Sequence, residues 1–158
     1  MCEGYKRAIT DVVIICSPSI MTIFLRITDM QSIETPHSRR AGNKAHYVPG
    51  MVHDGLLYIS GQLSLCPESG SVPEGGIAAE TRQALQNLDA VLSAAGVTRE
   101  RVIQCRVYTP RMEDWDAINA VYAEFFGAHK PARVVVPTTA LHYGCRVEIE
   151  AIAAMPEE

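Results

Sequence analysis

The chain has 158 residues, 47% of them hydrophobic and 20% charged, with a formal net charge of −4. This is the composition of one globular domain with a core of its own, and it excludes a disordered chain. There is no basic stripe and no Lys/Arg run beyond Arg39-Arg40, so nothing points to a nucleic-acid partner.

The first forty residues differ from the rest. Asp11 to Cys16 is apolar, Ser17-Pro18-Ser19 breaks the run, and Ile20 to Ile27 is mostly apolar again. A membrane helix needs about twenty uninterrupted apolar residues, so no membrane partner is expected. Lys6-Arg7 before an apolar block is a partial match to a secretory signal. The favoured reading is a poorly ordered leader over residues 1–44, or an upstream start used in place of Met21 or Met30. Gln31 to Lys44 reads as a polar connector ending that leader.

The domain proper is expected over 45–158. His46 to Gly50 is short and extended, and Met51-Val52-His53 turns at Asp54-Gly55 into Leu56 to Ser60, a hairpin signal. Ser60-Gly61-Gln62 closes that strand. Gly61 permits a bulge or a close approach, but spacing alone favours a plain strand end. Cys66 to Gly76 reads as loop.

Ile77 to Ala95 is expected as a helix, with Ile77, Ala84, Leu85, Leu88, Val91, Leu92 and Ala95 at helical spacing and Gly96 as its stop. Val102 to Tyr108 is a strand with Ile103, Cys105 and Val107 on one face and Gln104, Arg106 and Tyr108 on the other. Met112 to Ala128 is a second helix. Its apolar stripe is Trp115, Ile118, Val121, Tyr122 and Phe125, and Asn119 reads as a solvated helix residue.

Two strands end the chain. Pro131 and Pro137 bracket Ala132 to Val136, where Arg133 shares a face with Val135. In the last strand Cys145, Val147, Ile149, Ala151 and Ala153 form an apolar face, and Arg146, Glu148 and Glu150 a polar one. Arg133 could pair with Glu148 or Glu150. A guanidinium amid small apolar residues is also a good fork for a planar carboxylate. Two amphipathic helices would cover one face of a mixed sheet and leave its polar face bare, for water or another subunit.

The five cysteines (Cys2, Cys16, Cys66, Cys105, Cys145) are odd in number and widely spaced. They read as mostly buried free thiols of a reducing, cytoplasmic compartment. The five histidines show no i, i+4 pair and no HExxH, so no metal site is expected.

Taken together, Tyr47-Val48-Pro49-Gly50, Ser60-Gly61-Gln62, Asn119-Ala120-Val121-Tyr122 with Phe125-Phe126, Pro131-Ala132-Arg133 and Val147 to Ala153 resemble the RidA/YjgF family of reactive-imine deaminases. The resemblance covers His46 to the C-terminus. It implies an α+β fold, a mixed sheet with two helices on one face, chorismate-mutase-like. It further implies a homotrimer whose sheets form a barrel, with sites between subunits.

The same resemblance implies hydrolytic deamination of 2-imino or enamine acids to 2-keto acids and ammonia, without metal or organic cofactor. Arg133 matches the arginine that binds the substrate carboxylate, and Glu148 the glutamate that holds the attacking water. Tyr47, Ser60, Gly61 and Asn119 match positions lining the cleft. Val134-Val135 stand where members acting on 2-iminobutanoate and 2-iminopropanoate often carry Ser-Cys. The main-chain carbonyl of Val135 remains available to hold water. Substrate preference stays open, aminomuconate or aminoacrylate deamination included. Two other readings are a non-catalytic regulatory trimer that binds small carboxylates, and a ribonuclease.

Overall fold

Alternating β-branched residues build the sheet, and 3.6-residue apolar periodicity builds the two helices that cover it. In a computed structural model, which describes residues 11–17, 20–26, 30–36 and 46–157, the strands are β1 (Asp11–Ser17), β2 (Ile20–Arg26), β3 (Gln31–Ile33), β4 (Gly50–His53), β5 (Leu56–Leu63), β6 (Val102–Thr109), β7 (Ala132–Pro137) and β8 (Glu148–Ala154). The helices are α1 (Gly76–Ala94) and α2 (Trp115–Phe126).

The main sheet has six strands in the order β3-β4-β5-β8-β6-β7. All neighbours are antiparallel except β6 and β7. That parallel pair needs a crossover, which α2 supplies. Both helices lie on one face. Leu85, Leu88, Val91 and Leu92 of α1 and Ile118, Val121, Tyr122 and Phe126 of α2 pack against Leu57, Ile59, Cys105, Val107, Val147, Ile149, Ala151 and Ala153 of the sheet. Each fully buried leucine contributes about 1.5–3 kcal/mol. The opposite face carries Tyr58, Gln104, Arg106, Tyr108, Glu148, Glu150 and Ile152 in register across β5, β8 and β6, and neither helix covers it.

Asp54 and Gly55 both adopt positive φ, 50° and 74°, as a two-residue hairpin loop requires. Gly96, at φ 69°, ends α1, and Val97 N–H donates back to Leu92 O at 2.9 Å.

β1 and β2 pair with each other, Asp11 opposite Arg26 and Ser17 opposite Ile20, within the stretch read as a leader. Several other expectations need correction. The connector expected from Gln31 starts instead with β3, which ladders onto β4 and places Ile33 in the core at 6% exposure. Three residues are too few for a periodic signal to show. β5 does not end plainly at Ser60-Gly61-Gln62: it runs to Leu63 through a register shift between Ile59 and Gln62.

A second shift, between Val102 and Gln104, turns Ile103 outward at 47% exposure and puts Val102 in its place. The second helix begins as a 3-10 turn over Met112–Asp114. Phe126 joins Tyr122 as a buried aromatic in place of Phe125, and Trp115 is 38% exposed. No described helix is long and apolar enough to cross a membrane.

Candidate functional site

Arg133 lies on β7, the edge strand, on the helix-covered face beside Cys105 of β6. Its Nη2 donates to Asn119 Oδ1 of α2 at 2.9 Å. Its guanidinium carbon stands 4.5 Å from the centre of the Tyr122 ring and 5.8 Å from that of Trp115. An amide oxygen and two aromatic faces thus hold the cation. Among the described residues no carboxylate forms an ion pair with it. Asn119 is therefore a support for Arg133 and not merely a solvated helix residue. Below, burial pushes the Cys105 thiol up to about 11, against the lowering influence of Tyr122 and Arg133. Burial first, then Cys105, holds the Tyr122 hydroxyl well above its usual range.

Trp115 and Tyr122 were not legible as part of a site. At helical spacing they read as core, and only the register of β7 against α2 puts an arginine over them.

Glu148 opens β8 on the other face of the sheet. It stands opposite Leu63 of β5 and Tyr108 of β6. Its carboxyl lies against the α-carbon of Gly61. A methyl added there would stand 2.9 Å from Glu148 Cδ and closer still to Oε1. Gly61 sits within the β5 register shift, so the close-approach reading of this glycine is the one the fold realises. Burial, and after it the charge of Glu150, raises the Glu148 carboxyl above the ordinary carboxylate range. Glu150 itself is ion-paired with Arg106, which leaves neither of its expected partners to Arg133.

Ser60 is bonded to the main chain that leads into β4. Its hydroxyl donates to Val48 O at 2.7 Å and its amide to Pro49 O at 2.9 Å. It straps the Tyr47–Pro49 segment onto β5. Tyr47 is thereby held over a cleft of about 820 Å³ that Gly61, Gln62, Cys66, Asn87 and Tyr143 also line. Tyr143 has φ 57°, an uncommon backbone for a tyrosine, and this exposed residue lines the same cleft. Val135 shares the Arg133 face and packs against the core.

The candidate residues thus form two groups. Arg133, Asn119 and Val135 stand on the helix side of the edge strand. Glu148, Gly61, Ser60 and Tyr47 gather around β5 and β8. β6 lies between β7 and β8, so the strands carrying Arg133 and Glu148 are roughly 10 Å apart, with the two side chains on opposite faces. Within one chain they do not meet. Among the described residues no cluster of three His, Cys, Asp or Glu side chains is placed to hold a metal ion.

A family model described as endoribonuclease L-PSP matches residues 38–155. Human 2-iminobutanoate/2-iminopropanoate deaminase is 37% identical over 107 residues, covering 68% of this chain and 78% of its own. The crystal structure of the YjgF gene product of E. coli is 32% identical with a TM-score of 0.72, covering 80% of this chain and 99% of that one. The structure of E. coli TdcF with bound serine gives the same identity, 32%, the same TM-score, 0.72, and the same shares, 80% and 99%.

Proposed function

The chain belongs to the endoribonuclease L-PSP family, the YjgF/RidA group, and from that premise we propose that it deaminates reactive 2-imino and enamine acids to 2-keto acids and ammonia. The observation that carries this reading is the state of Arg133. It is a guanidinium held by neutral groups at a sheet edge, with no carboxylate of its own among the described residues. Such a fork takes an incoming carboxylate in two parallel hydrogen bonds, which fixes the adjacent C=N carbon as well as the charge. Two of the similar proteins support the substrate class: one is named for two imino acids, and one holds a bound amino acid.

Hydrolysis then needs a water and a base. The Glu148 carboxylate is desolvated and unpaired by any described cation, which suits it to take a proton from water. The water oxygen adds to the imine carbon. The proton passes to nitrogen, and the hydroxyl of the tetrahedral carbinolamine then gives its own proton to the same nitrogen as the C–N bond breaks, so that ammonia leaves as the ketone forms. Val135 keeps a main-chain carbonyl at the position where the resemblance implies that members of this type often carry cysteine.

Because Arg133 and Glu148 lie on opposite faces of one sheet, the site is completed between copies: Arg133 of one subunit faces Glu148 of the next. A homotrimer closed through the bare sheet face provides three such junctions. The test mixes two impaired variants, Arg133→Ala and Glu148→Gln, by co-refolding. Composite sites restore about one quarter of the junctions by random assembly. Sites contained in single chains restore none, and that result refutes the arrangement.

The family's printed description favours one second reading, a ribonuclease. RNA cleavage whose binding weakens steeply with added salt is its signature. The formal net charge of −4 opposes it. If the clefts bind 2-keto or amino acids but release no ammonia from freshly made imine, the chain is a carboxylate-binding regulatory trimer instead.

A further inference from the structure

Glu148 stands where two ladders stop. Leu63 opposite Glu148 is the last rung between β5 and β8, and Tyr108 opposite Glu148 the last between β6 and β8. Backbone pairing therefore does not hold the chain that leads into it. What lies there is a buried polar cluster. Glu80 in the first turns of α1 is 3% exposed, and Ser64, the residue after Leu63, is 0% exposed. Glu80 Oε2 accepts from Ser64 Oγ at 2.8 Å and from the Arg146 backbone N–H at 2.8 Å. The Arg146 guanidinium closes a fork on Asp114, Nη2 lying 2.6 Å from Oδ1 and 2.7 Å from Oδ2. One carboxylate oxygen thus joins the residue just past the end of β5 to the residue two before Glu148.

We propose that Glu80, through Ser64 and Arg146, is a positioning residue that fixes the Glu148 carboxyl against Gly61. The proposal rests on reading Glu148 as the base for the attacking water. Burying a carboxylate is costly unless hydrogen bonds satisfy it, and the Arg146 cation is spent on Asp114. Glu80 is thus a buried carboxyl held for its acceptor geometry. It takes the place of the rungs that the β5–β8 ladder lacks beyond Leu63. A loss of this clasp lets the start of β8 relax away from β5 and moves the base, while Arg133, on the far face, is untouched.

The test compares Glu80→Ala and Glu80→Gln with the unaltered full-length chain, well below their melting temperatures, using imine generated from an amino acid by an amino-acid oxidase. Glu80→Ala is expected to lower kcat at least about tenfold and to leave KM within about twofold, since carboxylate binding belongs to Arg133. Glu80→Gln keeps an acceptor oxygen in place and is expected to retain most of the turnover. An unchanged kcat in Glu80→Ala, or a KM rise that matches the fall in kcat, overturns the proposal.

A second readout does not depend on turnover. In a carbon-13 titration the Glu148 carboxyl, assigned by its loss in Glu148→Gln, falls back toward the ordinary carboxylate range in Glu80→Ala. If the unaltered chain hydrolyses no imine, the functional reading fails, and the titration alone decides the clasp: an unmoved Glu148 overturns it. Should Glu80→Ala not fold, Ser64→Ala removes one of the two donors and is held to the same readings.

Discussion

Gly61→Ala isolates the contact between β5 and the proposed base. A β-carbon at this position would stand 2.9 Å from Glu148 Cδ and 3.3 Å from its Cγ, with Oε1 nearer than either. Ordinary van der Waals contact begins near 3.4 Å, so the carboxyl must move by at least about half an ångström, and by more at Oε1. The clash falls on the free end of a rotatable side chain. Rotation of Glu148 relieves it, and stability is expected to change by less than about 1 kcal/mol. Catalysis does not escape in the same way. Displacement of a base by about 1 Å can cost a hundredfold, so kcat is expected to fall between about tenfold and a hundredfold.

The assay measures ammonia release from freshly generated imine and thermal melting on the same sample. A double variant adds the decisive comparison. If Gly61→Ala acts only through Glu148, then Gly61→Ala combined with Glu148→Gln is no worse than Glu148→Gln alone. Full turnover in Gly61→Ala refutes the reasoning, and so does a double variant whose losses simply add.

The other predictions concern each half of the site and the N-terminal part. Arg133→Ala is expected to lower kcat/KM at least about tenfold, the value of one lost charge-assisted contact, and lysine does not rescue because it lacks the planar fork; a stability loss of about 3–5 kcal/mol would mark a buried ion pair instead. Glu148→Gln lowers kcat at least about a hundredfold, to a residual rate that is still measurable, and raises the melting temperature at neutral pH. The folded-state affinity of Glu148 for its proton is raised by burial, so its contribution to stability is lost as pH rises from the ordinary carboxylate value through the raised one. A melting temperature with the same pH dependence in both proteins contradicts this. In the unaltered enzyme, kcat falls on acidification through that same raised value. We also propose that the folding unit begins near Met30: a chain starting there keeps β3, whereas one starting at residue 45 loses Ile33 and is destabilised by about 2–4 kcal/mol, which denaturant melts of the two will show.

How much of this was legible depends on the range of the interaction. Helical periodicity located α1 from its own leucines, and Asp54-Gly55 located the β4–β5 hairpin, because those signals are written within a few residues. Short motifs, each matched residue by residue, pointed to Arg133, Glu148, Gly61 and Asn119 together. The same sequence mistook β3 for a connector, since three residues carry no period, and it set Ile103 in the core, because a bulge reverses the faces of a strand with no local mark. It left Arg133 free to pair with Glu148 or Glu150.

Only the tertiary structure decided that question. The strand order places β6 between β7 and β8, and the pleat sends the two side chains to opposite faces. The grip of Asn119 on Arg133, the fit of Glu148 against Gly61 and the clasp of Glu80 on Arg146 are likewise set by register between segments distant in the chain. Local sequence specifies which face of each element is apolar. Which polar groups then meet is fixed when those faces pack, because packing selects one register of each pair and with it every contact across the sheet.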